Sequence, residues 1–153
     1  GDQNEWEIAS GVPHIPFEAL DADYEIAKEA YLEYFRKMHQ LFPKCKKMLM
    51  AVRNQIASSH HTLSGLLYDA VEDQLYTTRI YDIEPIVDPM GVGDAFIAAY
   101  IHAHQKWGDK NQYCLDFSLS ASAIKNTIPG DQNLVSEEEI ISNMTSSGGR
   151  IQR

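Results

Sequence analysis

The chain has 153 residues, with 13 Lys plus Arg against 22 Asp plus Glu and a formal net charge of −9. Hydrophobic residues at 44% and charged residues at 23% fit one folded domain, not a wholly disordered chain. The acidic balance argues against nucleic acid as main partner, because no basic surplus displaces phosphate counterions. No apolar run approaches the ~20 residues of a membrane span, so no membrane partner is expected. The polar start, Gly1-Asp2-Gln3-Asn4-Glu5, is no signal peptide, and two cysteines, Cys45 and Cys114, cannot frame a disulfide scaffold. A reducing, cytoplasmic setting is the expectation.

Gly11-Val12-Pro13-His14-Ile15-Pro16 reads as a breaker-rich loop. Tyr24, Ala27, Tyr31, Tyr34, Phe35, Met38, Leu41 and Phe42 then recur at three- and four-residue steps, which predicts a helix. Asp21 or Asp23 would cap it and Pro43 would close it. Lys47-Met48-Leu49-Met50-Ala51-Val52 is a short apolar run suited to a strand covered on both faces, as in a parallel sheet. Arg53 to Thr62 is polar and reads as a loop. Gly65 to Tyr68 and Leu75 to Tyr81 are β-prone and flank an acidic turn, which predicts an antiparallel hairpin.

Pro85 to Met90 leads into Gly91-Val92-Gly93-Asp94, followed by a helix over Ala95 to Trp107 that Gly108 ends. A further helix is expected from about Asn111 to Asn126, then a turn at Pro129-Gly130-Asp131. Ser136 and Glu139 form a capping box that opens the last helix. The order is that of α/β material, yet only one segment suits a central parallel strand, where a doubly wound sheet needs several.

The chemistry concentrates in Asp88-Pro89-Met90-Gly91-Val92-Gly93-Asp94-Ala95-Phe96. Two glycines separated by one residue open a helix. Glycine permits positive φ and close approach of a ligand to the main chain. The first amides of a helix point outward unpaired and form an anion site. Asp94, in the first turn, is placed to take a proton from an attacking hydroxyl while those amides hold phosphoryl oxygens. A glycine turn followed by an acidic helix start is also common without any ligand.

The segment Gly91-Val92-Gly93-Asp94-Ala95-Phe96 resembles the G-A-G-D-A-F signature of the ribokinase-like (PfkB) carbohydrate kinases, and Asp88 fits their D-x-x-G-x-G-D pattern. Asn4-Glu5-Trp6-Glu7 is similar to their N-x-x-E motif. Ser64 to Asp69, Tyr81 to Asp88, Lys125 to Asp131 and Gly149 to Arg153 look like the 2-keto-3-deoxygluconate kinase branch, so the resemblance runs along essentially the whole chain. It implies an α/β fold, the C-terminal part of a ribokinase-like three-layer α/β/α sandwich with an incomplete sheet. Residues 1–153 would be one partial domain, with 146–153 a frayed tail. The expected activity is transfer of the γ-phosphoryl of ATP to a primary hydroxyl of a keto-deoxy sugar acid.

The resemblance also assigns roles. Asp94 is the base that deprotonates the substrate hydroxyl. Gly91, Val92 and Gly93, with the amide of Asp94, form the anion hole. Asn4 and Glu7 organise Mg2+ through water, in keeping with the waters that ion retains. Arg53 contacts the nucleotide, Ala121, Ala123 and Asn126 wall the adenine pocket, and Asp131 touches the substrate or the rim. Asp88 and its neighbours correspond to a loop that binds a monovalent cation, K+, in many members. Here Pro89 and Met90 replace its frequent Thr-Thr pair, which removes two hydroxyls and one amide donor.

Members of that family are roughly twice this length. The chain begins at the N-x-x-E motif, so the resemblance implies that the strand presenting Asn4, the lid and most sugar-binding side chains lie outside it. An open sheet edge follows, through which the chain would associate with itself or with the missing half. The alternative is a non-catalytic fragment with at most weak nucleotide binding. Other features have plainer readings. His60-His61 lacks the partners of a metal site; His102 and His104 do not share a helix face; Cys114 is a small core residue; and Cys45, beside Lys44, Lys46 and Lys47, has no base to make it a nucleophile.

Overall fold

The structure is a computed structural model that describes residues 2–15 and 27–146. Five helices and four strands follow in the order α1 (Gln3–Ser10), α2 (Lys28–Leu41), β1 (Lys47–Ala57), β2 (His60–Asp69), β3 (Gln74–Thr77), β4 (Tyr81–Ile83), α3 (Val92–Trp107), α4 (Asn111–Lys125) and α5 (Glu137–Thr145). The Asp21 and Asp23 cap candidates and the tail from 147 lie outside the described residues.

β2 is the central strand. It pairs antiparallel with β1 along one edge, and with β3 and β4 along the other. Strands alternate their side chains between faces, and β2 uses both. Leu63 and Leu67 enter a core built with α3, α4 and α5, while Leu66 and Tyr68 enter a second core with Tyr31, Tyr34, Phe35 and Met38 of α2. β1 divides likewise. Met48, Met50 and Val52 face α2, and Leu49 and Ala51 pack toward α3–α5. Helices thus cover both faces of one sheet, a three-layer α/β/α arrangement.

Two expectations about this region are corrected. β1 is covered on both faces, but its partner is antiparallel. Nor is Arg53 to Thr62 a loop. It continues the β1–β2 hairpin, with a turn at 58–59 and a bulge between Gln55 and Ala57. Its polarity reflects exposure, since Arg53, Gln55, Ile56 and Ala57 face solvent while backbone pairing holds the strand. The hairpin of β2 and β3 forms as expected, in the register Leu66↔Thr77 to Asp69↔Gln74, although Tyr81 belongs to β4. The Asp69 carboxylate accepts from the amides of Val71 and Glu72 to close the turn. Among the described residues the outer edge of β1 carries one parallel bridge, Asp2↔Ala51.

The helices form where caps and stripes allow. α1 is opened by a reciprocal pair, with the Asp2 carboxylate accepting from the Glu5 amide and the Glu5 carboxylate from the Asp2 amide, both at 2.9 Å. Ser136 and Glu139 open α5 in the same way. In α2 the predicted stripe holds for Tyr31, Tyr34, Phe35 and Met38, whereas Leu41 and Phe42 are exposed at its end. α4 is buried along almost its whole length. It approaches β2 so closely that a Cβ on Gly65 would stand 3.3 Å from Leu115 Cδ1 and from Thr78 Cγ2. At its N-terminus, Asn111 donates to the Asp69 carboxylate at 2.9 Å and accepts from Lys47 Nζ at 2.8 Å. Among the described residues no helix is long and apolar enough to cross a membrane.

His61, near the start of β2, is 3% exposed and its Nε2 has no partner. Burial, with Arg53 and His60 adding to it, lowers its pKa from 6.5 to about 4. The folded state therefore holds the neutral ring, and the unfolded chain binds the proton first. This stability is fully present above pH 6.5 and is lost as pH falls toward 4. The expected slope from this group is at most about 1.4 kcal/mol per pH unit. Urea unfolding across that window should show a shallower pH dependence for His61→Phe than for the natural chain.

Candidate functional site

The site is assembled at the N-terminus of α3. Gly91 is the N-cap, in the left-handed region at φ 73°. It brings no side chain to cap the helix, so α3 starts without a side-chain cap bond. Gly93 and Asp94 are exposed in the first turn, and a Cβ on Gly93 would meet nothing within 4 Å. The helix start faces open space, and its first amides carry the positive end of a 16-residue helix.

Three connections fix this turn. The amides of Val87 and Asp88 donate to the Asn126 carbonyl at the end of α4, at 2.8 and 3.2 Å. Ser122 Oγ donates to the Val92 carbonyl at 3.0 Å. The Asp88 carboxylate spans two loops, with Oδ1 accepting from the Met90 amide at 2.9 Å and Oδ2 from the Gly130 amide at 2.8 Å. Those amides hold the Asp88 pKa below its ordinary value. The result presses Asp131 against Gly91. A Cβ at position 91 would lie 2.2 Å from the Asp131 carbonyl oxygen and 2.8 Å from its Oδ1. Asp131 thereby meets the glycine turn through its backbone as well as its carboxylate.

Beside the turn lies a cavity of about 310 Å3 between α3, α4 and α5. Ala95, Ala98 and Ala99 form one wall, Phe117 and Ala121 another, and Asn133, Val135 and Ile140 a third, with His102 and Glu137 at the polar end. Small residues at positions 95, 98 and 99 share one helical face and leave the space open. Glu137 accepts from His102 Nε2 at 2.8 Å and from Lys106 Nζ at 2.6 Å, and these contacts lower its pKa. Asn133 donates to the Ala121 carbonyl at 3.3 Å, while its buried Oδ1 has no partner.

The other expected site residues are placed differently. Ala121 lines the cavity, but Ala123 of α4 and Asn126, its C-cap, are fully buried and do not line it; Asn126 acts on the site through its backbone carbonyl. Asn4 and Glu7 lie on α1, which packs toward β1 and α2 through Trp6 Nε1 donating to the Leu49 carbonyl at 3.1 Å and Gln3 donating to Tyr31 Oη. Asn4 is exposed. Glu7 Oε2 accepts from the His14 amide at 3.1 Å and pairs with the His14 ring, and its pKa is lowered mainly by the amide bond. Arg53 is exposed on β1 opposite Leu63. Among the described residues no group of three or more His, Cys, Asp or Glu side chains could hold a metal ion. The alanine face of α3, Phe117 and Asn133 were not singled out from sequence. The Ala95, Ala98, Ala99, His102 spacing was the available signal.

No protein-family model matches the sequence, and no curated protein matches it. Solved structures do. Over 95% of its length the chain is similar to 2-dehydro-3-deoxygluconokinase from Thermotoga maritima, at 27% identity and a TM-score of 0.80, covering 40% of that chain. A PfkB family carbohydrate kinase from Listeria grayi is 30% identical over 74% of this chain and 35% of its own, with a TM-score of 0.69. The fold is that of the ribokinase-like (PfkB) carbohydrate kinases. A ribokinase from Arabidopsis thaliana, solved with ribose and ATP, shares it at 18% identity and a TM-score of 0.66, with 95% of this chain covering 40% of that one. The chain therefore spans about two fifths of the length of these PfkB-fold proteins.

Gly91 and Gly93 should part company in this PfkB fold. Gly91→Ala combines positive φ with a clash against backbone, so it should cost more than about 2 kcal/mol. Gly93→Ala, helical and facing open space, should change stability by less than ~1 kcal/mol. Urea melts of the two variants check this.

Proposed function

We propose that this chain is the nucleotide-binding and phosphoryl-transfer part of an ATP-dependent sugar kinase, one partial domain whose partner substrate is a small keto-deoxy sugar acid such as 2-keto-3-deoxygluconate. The observation that carries it is the open, uncapped start of α3 at Gly91 to Asp94, set beside a mainly apolar cavity. Similarity to the Thermotoga maritima enzyme supports the substrate class. In this reading the adenine enters between the alanine face of α3 and Phe117–Ala121. The amides of Gly91, Val92, Gly93 and Asp94 hold the γ-phosphoryl oxygens, fixed in place before substrate arrives.

Asp94 takes the proton from the primary hydroxyl. The hydroxyl oxygen forms its bond to phosphorus as the bond to the β,γ-bridging oxygen breaks, and ADP leaves with that electron pair. Most of the rate gain comes from positioning and fixed dipoles, as phosphoryl transfer generally requires. Mg2+, when bound, would neutralise phosphate charge. With no cluster of three protein ligands among the described residues, phosphate and water would supply most of its ligands, with Asn4 and Glu7 acting through water. Asp131 borders the phosphate end, and Arg53 would reach the nucleotide from β1. The outer edge of β1 is where a further strand, of another chain or of a longer one, would pair.

Asp94→Asn should abolish ADP release driven by 2-keto-3-deoxygluconate, by about 10³-fold or more, while changing ADP affinity by less than about threefold. Both measurements belong on the chain extended by a sugar-binding part and on the chain alone. Near-normal turnover in the Asn variant would remove Asp94 from the base role.

A further inference from the structure

Lys125, the last residue of α4, is 0% exposed. A fully buried ammonium is rare and costly unless charges and dipoles around it compensate. Its Nζ donates to the Ile128 carbonyl at 3.0 Å, so it lies inside the turn from Asn126 to Asp131. That turn forms half of the clasp around the glycine motif. The Asn126 carbonyl holds Val87 and Asp88, the Gly130 amide is held by Asp88, and Asp131 rests on Gly91. The Asp88 carboxylate also feels the Lys125 charge through space, as a smaller influence than its two amide donors.

The fold family implies a bound K+ in this loop, and the residues present do not fit one. Each Asp88 oxygen already accepts one amide, which leaves a single lone pair on each. Pro89 and Met90 offer no hydroxyl. A positive charge is already buried beneath the turn, and a second one next to it would be repelled in a poorly screened place.

We propose that the Lys125 ammonium is the resident cation of this loop, a positioning residue that holds the 126–131 turn against Gly91 so that the glycine motif keeps its shape without bound potassium. The consequence for nucleotide binding rests on the proposed kinase reading; the effect on the loop does not.

Thermal melting of the chain and of Lys125→Met, each in potassium chloride and in tetramethylammonium chloride at equal ionic strength, tests it. The natural chain should melt at the same temperature in both salts. Lys125→Met should melt lower by about 5 °C or more and regain part of that loss in potassium only. A natural chain stabilised by potassium over tetramethylammonium would overturn the proposal, as would a variant as stable as the natural chain and indifferent to the salt. Should the variant not fold, the comparison of salts on the natural chain still decides. ADP titration in the two salts separates the readings. Equal affinity in both supports Lys125 as the resident cation, and affinity at least about tenfold higher in potassium opposes it. Salt-independent melting without any ADP binding would leave the Lys125 assignment standing and remove the kinase reading.

Discussion

From Leu63 to Asp69 every residue of β2 is buried, and the placement of the site depends on that strand. Its edges are taken by β1, β3 and β4, and its faces by two separate cores. A strand held on four sides has one register, because a slip of one residue would exchange the two cores. α4 packs on one of those faces at Gly65, where the lack of a side chain admits Leu115 and Leu119. The far end of α4 then presents Ser122 and the Asn126 carbonyl to the chain around the glycine motif. The geometry of the motif is thus inherited from the sheet through one buried helix.

That inheritance explains how an acidic chain can present unpaired helix amides to open space. The donors at the start of α3 are backbone amides, whose number and direction do not depend on net charge. The carboxylate that precedes them in sequence, Asp88, is occupied with amides of its own from Met90 and Gly130. It acts as a strut between two loops, and its negative charge is spread over those donors. Asp94 differs, being exposed in the first turn, where a carboxylate also suits the helix dipole.

Much of this was legible in sequence because it is local. The Ser136–Glu139 box, the glycines at positions 91 and 108, the α2 stripe and the β2–β3 hairpin depend on neighbours within a few residues. The Asp2–Glu5 box was equally local and was passed over, because a motif reading of Asn4 and Glu7 competed for the same residues. The β1–β2 hairpin was missed for a physical reason. Apolar residues at 48, 50 and 52 and at 49 and 51 mark a strand covered on both faces, and such coverage is shared by parallel strands and by a central antiparallel one. Only the pairing partner distinguishes them, and its polar half, Arg53 to Thr62, carries no hydrophobic alternation. Around α3, the glycine turn at Gly91 was readable. The contact of Asp131 with Gly91 and the burial of Ala123, Asn126 and Lys125 were not, since they depend on how a turn forty residues away folds back.

The exposure of Asp94 and Gly93 carries a further consequence. Phosphoryl transfer demands that water be kept from the γ-phosphate, or hydrolysis competes with transfer. In the proposed reading, the cavity walls, the alanine face of α3 and Phe117, would shield the base side of a nucleotide. At the other end, space opens in front of Gly93, on the side from which an acceptor hydroxyl would approach Asp94. The two ends therefore place unequal demands on the rest of a kinase. On the proposed reading the nucleotide end would be lined by α3, α4 and α5, whereas the acceptor end would need a surface supplied from beyond these helices. On that reading, nucleotide binding and productive transfer would be separable properties, and the first would require less of the surrounding protein than the second.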